Sequence, residues 1–251
     1  MRPSKCFGYL FTASILFVQI SVGYGQFKIP TIKLPKNVPN PTSSGSLQGL
    51  SESDIIDGLK EALSVGSKNA SSQLNQLDGF NKNMRIRIPF PEDAQRVATK
   101  LRQLGYGKKV DEFELTLNRA AEQAAKEAAP IFVNAIKQMT FADAKSILTG
   151  PDTAATGYLR KTTFSPLFSA FAPHITTALG NTFATSKWKE ITTIYNKLPM
   201  VSKVDTDLTR YTTNKALKGL FVVVADEELK IRKDPAARVT DILKKVFGQK
   251  G

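Results

Sequence analysis

From Ser51 onward the apolar residues of this chain recur every three or four positions, segment after segment, with glycine or proline at most of the boundaries. That period belongs to helices and not to strands, so it restricts the fold to packed helices. Ser51 and Asp54 have capping-box spacing ahead of Ile55, Ile56, Leu59 and Leu63, which predicts a helix from about Ser51 to Gly66, extending toward Leu77 and broken at Asp78-Gly79. Met84, Ile86 and Ile88 then alternate with Arg85 and Arg87 before Pro89 and Pro91, the one place where a short extended segment, over 84–88, is expected. Pro91 opens a helix carrying Ala94, Val97, Ala98, Leu101 and Leu104 as far as Gly105-Tyr106-Gly107. A longer helix follows from Lys108 to Ala129, with a narrow stripe of Val110, Phe113, Leu117 and alanines, and Pro130 kinks or restarts it before Ile131 to Met139.

The second half continues the pattern. Thr140 with Asp143 caps a short helix that ends at Gly150; Asp152 caps a segment from Thr153 to Lys161; Ser165-Pro166 begins a helix to Leu179 with Pro173 inside it. Thr185 or Ser186 starts another, through Trp188 to Leu198-Pro199. Asp205 opens the longest run, Leu208 to Arg232, and Asp234-Pro235 starts the last, to Phe247. The expectation is an all-α, single multi-helix domain of about nine helices over residues 47–248.

Residues 1–25 read differently. Arg2 and Lys5 precede an almost wholly apolar run from Phe7 to Val22, and Gly23-Tyr24-Gly25 supplies small residues at a cleavage position, so the segment is expected to be a signal peptide removed before Gln26. An uncleaved membrane anchor is the competing reading, but the run is shorter than the ~20 residues a spanning helix needs and ends in glycines rather than a basic stop. Residues 26–46, with Pro30, Pro35, Pro39 and Pro41, are expected to be an extended tether; the repeated triplets Lys28-Ile29-Pro30 and Lys33-Leu34-Pro35 leave open a docking role for an anionic surface.

Cys6, the only cysteine, precedes the apolar run, which argues against lipidation and leaves the processed chain without thiols. Disulfides, cysteine-ligated zinc and a cysteine nucleophile are then excluded together, and the domain must be held by its core. The formal charge is +13, or +11 once Arg2 and Lys5 are removed. For a secreted protein, or a periplasmic one in a Gram-negative host, such a surplus points to acidic polysaccharide, anionic lipid or extracellular matrix more than to nucleic acid. No transmembrane segment is expected in the processed chain.

Several phrases carry a family likeness: Leu47-Gln48-Gly49-Leu50-Ser51, the run from Gly58 to Gly66, Asn118-Arg119-Ala120-Ala121-Glu122, Ile147-Leu148-Thr149-Gly150, Gly219-Leu220-Phe221, and Asp241 to Gly248. Together they resemble domain-of-unknown-function family 4197, found mostly in bacteria as exported proteins, over about Leu47 to Gly248. The resemblance implies export and a helical domain, and it implies no activity. The chain departs from lipoprotein-type members in lacking the lipidation cysteine.

Three constellations could carry chemistry. Asp111, Glu114, Asn118 and Glu122 are spaced to line one helical face, where they could hold a hard cation or form a buried polar network, although Lys108, Lys109, Arg119 and Lys126 are placed to pair with them and a Glu-x-x-His element is missing. Thr153, Thr156 and Arg160, at a helix start after Gly150-Pro151-Asp152, could bind an anion, although Asp152 would satisfy the same N–H groups as an N-cap. Asp226, Glu227, Glu228, Arg232 and Arg238 form a mixed cluster that salt bridging between the last two helices explains. His174, the only histidine, is read as a satisfied core or surface residue, and one histidine excludes histidine-rich metal ligation. Asn69-Ala70-Ser71 is an N-glycosylation acceptor, relevant only in a eukaryotic secretory pathway.

No catalytic residue, metal or cofactor follows from these patterns. The favoured expectation is a secreted, non-enzymatic binding protein with a basic surface. A helical carrier of a lipid or other apolar ligand, lined by Phe113, Phe132, Phe164, Phe168, Phe171 and Phe221, is the alternative. A hydrolase using Asp111, Glu114 and Glu122 is the third.

Overall fold

Serine and threonine side chains start helices by accepting the N–H groups that the first turn leaves without partners, and two helices begin in this way. The computed structural model describes residues 51–180, 188–189, 192–193, 196–197, 203–204 and 207–234. The expected signal peptide, the tether and the last helix to Phe247 lie outside these residues, as does most of the helix expected through Trp188, of which 188–189 and 192–193 are helical.

Helix α1 spans Glu52–Leu74, with Ser51 and Asp54 bonding reciprocally as a capping box. Asp78, at φ 68, then turns the chain. After a 3-10 turn at Glu92–Ala94 come α2 (Gln95–Gln103) and α3 (Gly107–Ala124). A second 3-10 turn, Ala125–Glu127, leads into α4 (Ala128–Lys137), where Pro130 sits in the first turn and its missing N–H costs no helical bond. Thr140 and Asp143 form the second capping box and start α5 (Phe141–Thr149), and α6 (Ala154–Gly180) and α7 (Leu208–Lys233) complete the described helices. The N-cap of α7 is Asp207, which accepts from the N–H of Arg210 at 2.9 Å; Asp205, expected to open this helix, lies outside the described residues.

All described secondary structure is helical or turn, so the all-α expectation holds and the extended segment at 84–88 does not. Asn83 is the reason. Its carbonyl accepts from both Ile86 N–H (3.1 Å) and Arg87 N–H (2.8 Å), and its side chain accepts from Arg85 N–H, which closes a turn in place of a strand. Ile86 and Ile88 still point inward, but Met84 is 83% exposed. Residues 78–91 thus form an irregular strap across α3 and α7.

The second correction concerns α6, which is one helix across both Pro166 and Pro173 rather than two segments split near Ser165. Each proline removes a hydrogen bond to the carbonyl four residues earlier. Those carbonyls belong to Thr162 and Ser169, and both residues, like the prolines, face solvent, where water replaces the lost donor. The buried side of α6 reads Ala155, Leu159, Thr163, Leu167, Phe171, Ile175 and Leu179, a strict four-residue series. Each step of four advances about 40° around an α-helix, so the row winds around α6 instead of running straight along it. One helix thereby meets α3, α4, α5 and α7 in turn and lies at the centre of the bundle.

Two close approaches fix the remaining geometry. Gly219 of α7 lies under the strap, where an added Cβ would stand 2.8 Å from the Phe80 ring. At the end of α2, Gly105 adopts φ 87, its N–H donates to Arg102 O at 3.1 Å, and Tyr106 N–H donates to Leu101 O at 2.9 Å. This is a Schellman closure with glycine where the left-handed residue must be. It turns Leu104, expected on the apolar stripe of α2, out to 61% exposure.

Candidate functional site

Helix α3 presents polar side chains at four-residue intervals, each one position, or about 100°, on from the apolar stripe of Phe113, Leu117 and Ala121, and what they meet is backbone. Glu122, 4% exposed, accepts from the N–H groups of Phe80 and Asn81, both at 3.1 Å. Asn118, fully buried, accepts from Ile88 N–H at 2.9 Å and donates to Ile88 O at 2.8 Å. Glu114 accepts from Phe90 N–H at 3.2 Å and pairs with Arg87 at 2.9 Å. Asp111, at the solvent end, pairs with Arg102 at 2.7 Å. Three of the four residues thus form a rail that supplies the strap with the partners a neighbouring strand would have given. Arg119 crosses from Glu122 (2.6 Å) to Asp78 (2.7 Å), and both bonds push its guanidinium pKa up, the one to Glu122 most. Bonds from Lys82, Asn81 and Arg119 hold the Asp78 carboxyl far below the usual range. The described residues contain no acidic or histidine cluster arranged to hold a metal ion.

The expected anion site at the start of α6 is filled from within the protein. The carboxylate of Glu228, on α7, accepts from Ala155 N–H (3.0 Å), Thr156 N–H (2.8 Å) and the Thr156 hydroxyl (2.7 Å). A carboxylate is what a helix N-terminus favours, and Arg232 balances its charge through two bonds of 3.0 and 2.8 Å. Thr153 is exposed and does not join it. Arg160 lies a turn further along α6, with its guanidinium 5.1 Å from the Phe221 ring centroid. The three candidate residues therefore do not converge.

Among the described residues the acidic cluster of α7 reaches three different elements, and the last helix, expected to share its salt bridges, lies outside them. Asp226 receives both arms of Arg85 in the strap at 2.7 and 3.2 Å; Glu227 accepts from the Asn69 amide of α1 at 3.1 Å and pairs with Lys230; Glu228 caps α6. Arg238 lies outside the described residues. His174 is half-exposed, with Nε2 3.1 Å from Glu127. In the folded domain Asn69 is exposed on α1 while Ser71 of the same sequon is buried and donates to Ala125 O at 2.8 Å.

Of the phenylalanines considered for an apolar ligand, Phe132, Phe171 and Phe221 are fully buried in side-chain packing, with the Phe132 and Phe221 rings edge to face at 5.9 Å, and Phe164 is 41% exposed. Two cavities among α1, α6 and α7, beside Glu228, hold about 10 Å³ each, room for a single water. A larger cleft, of about 210 Å³, is lined by Pro91, Trp188, Leu208, Tyr211 and the paired Glu92 and Lys215.

One surface was not singled out from the sequence. Ala94 to Val110 contains Arg96, Lys100, Arg102, Lys108 and Lys109 and no acid, and residues 102–106 are exposed without a break. The charge run was visible in the sequence, but the outward turn of Leu104 and Tyr106 was not, since it follows from the Gly105 closure.

A family model described as a protein of unknown function, DUF4197, matches residues 49–248. No curated protein and no solved structure matches the chain.

Proposed function

The chain belongs to the DUF4197 family of proteins of unknown function, and we propose that it is an exported, non-enzymatic binding protein whose basic surface engages a polyanion: acidic polysaccharide, anionic lipid or extracellular matrix. One observation carries this reading: six carboxylates are engaged within the fold, while six exposed cations pair with no described carboxylate. Asp78, Glu114, Glu122, Asp226 and Glu228 hold backbone N–H groups or cations on other elements, and Glu227 holds the Asn69 amide of α1. Lys68, Arg96, Lys100, Lys108, Lys137 and Lys145 are exposed and pair with no described carboxylate. These unpaired cations, in a chain whose formal charge is +13, support attraction of a polyanion over a distance set by the salt concentration. Of the acids considered for a hydrolase, Glu114 and Glu122 clasp the strap and Asp111 pairs with Arg102.

The test is binding of the protein, purified as the expressing cell processes it, to immobilised heparin and to vesicles containing phosphatidylserine, at rising salt. Retention on at least one, released as salt screens the surface, is the expected result. Passage through both at low salt would remove this reading. Mass spectrometry of the processed chain should find Gln26 at its N-terminus, and an intact Met1 would remove the export step.

A further inference from the structure

We infer that the α2–α3 hairpin, residues 95–109, is a membrane-docking tip that seats Leu104 and Tyr106 in the head-group region of a bilayer bearing anionic lipids, with Arg96, Lys100 and Lys108 against the lipid phosphates. This rests on the polyanion reading above and names its partner.

Three features converge on the tip. The first is charge: from Ala94 to Val110 there are five cations and no acid. Arg102 and Lys109 are engaged by Asp111 and Glu112 at 2.7 and 2.8 Å, so Arg96, Lys100 and Lys108 are the ones left to face an anionic surface. The second is apolar exposure within that cationic run, with Leu104 61% and Tyr106 57% exposed. A polysaccharide would be recognised by charge and hydrogen bonding and gains little from an exposed leucine. A bilayer interface rewards both kinds of side chain at once, because leucine enters the acyl boundary, tyrosine keeps its hydroxyl among the head groups, and lysine extends its stem to the phosphates. The third is rigidity. The Gly105 closure and its two hydrogen bonds hold Leu104 and Tyr106 outward, and Ala98 and Val110 are buried beneath them, so little ordering entropy is lost on docking. Nothing packs at Gly105, where an added Cβ would meet no atom within 4 Å.

The experiment compares the protein with two variants in co-sedimentation with phosphatidylcholine vesicles, with and without phosphatidylserine, and on heparin. Any contribution from residues 7–22 is common to all three proteins and drops out of the comparison. Leu104→Ser with Tyr106→Ser should lower affinity for the serine-lipid vesicles about tenfold or more and leave heparin retention unchanged. Arg96→Gln with Lys100→Gln and Lys108→Gln should weaken both, with roughly a fivefold loss on vesicles for each cation removed. All the positions are exposed, so circular dichroism and melting temperature should match the parent. If the Leu104/Tyr106 variant binds vesicles like the parent, the inference fails while the polyanion reading stands. The same holds if the parent binds heparin and ignores vesicles. If the parent binds neither, both fail.

Discussion

Replacing Asn118 with leucine isolates what the rail on α3 contributes. The two side chains are similar in size, so the substitution leaves little cavity, but it removes the acceptor for Ile88 N–H and the donor to Ile88 O. Ile88 is itself fully buried, and water does not reach the two stranded groups. The third bond, to Glu114 O, is lost with less consequence because that carbonyl keeps a helical partner. A stranded buried group costs about 1–3 kcal/mol, and the extra apolar burial of leucine returns about 1–2 kcal/mol. Taking the middle of each range, the two stranded groups cost about 4 kcal/mol and leucine returns about 1.5 kcal/mol, so the net loss expected for Asn118→Leu is about 2–3 kcal/mol. For a domain of this size that corresponds to a fall in Tm of roughly 4–12 °C. Urea denaturation should show a lower midpoint with an unchanged slope, and hydrogen exchange should show the Ile88 amide losing protection before the core amides of α6. A loss under about 1 kcal/mol, with the Ile88 amide still protected, would refute the account of the rail.

Three further outcomes are expected. Glu228→Gln should cost about 3 kcal/mol, because the Arg232 side chain, only 10% exposed, is left without its carboxylate; adding Arg232→Met should recover part of the loss in the same denaturation assay. Asp78, Glu92 and Asp143 all have carboxyl pKa values held below the ordinary 3.8 or 4.5, by Lys82, Lys215 and Thr140 respectively, so their contribution is full above the unfolded values and is lost as pH falls below them. Asp78→Asn, which tolerates φ 68, should flatten that acid limb in a series of melts from neutral to acid pH, and a limb of unchanged slope would count against the ion-pair assignment. Gly219→Ala should destabilise by about 1–3 kcal/mol, since its methyl would stand 2.8 Å from Phe80 and 3.1 Å from Ile86, and thermal melting measures this directly.

Local signals carried over into the structure and distant ones did not. Ser51 with Asp54 and Thr140 with Asp143 were legible because a capping box lies within four residues. The proline pattern of α6 misled because a sequence does not say which way a proline faces, and a helix tolerates two when both face water. The line Asp111, Glu114, Asn118, Glu122 was legible as one face, but its partners, the N–H groups of residues 80–90, are backbone and carry no side-chain signal. Likewise Thr156 could be placed at a helix start from sequence alone, whereas the carboxylate that fills that start comes from Glu228, 72 residues away.

The contact between α7 and α1 also sets the order in which the chain can become a protein. Asn69 meets Glu227 across 158 residues, and the strap is pressed beneath Gly219, so neither α1 nor the strap is complete until almost the whole described chain exists. A chain emerging from the ribosome has no α7 to cover α1 for most of its synthesis, and folding is postponed to the end. If the chain is exported as proposed above, such lateness would keep it fit for passage as an unfolded thread, and the same long-range closure would lock the bundle once α7 arrives.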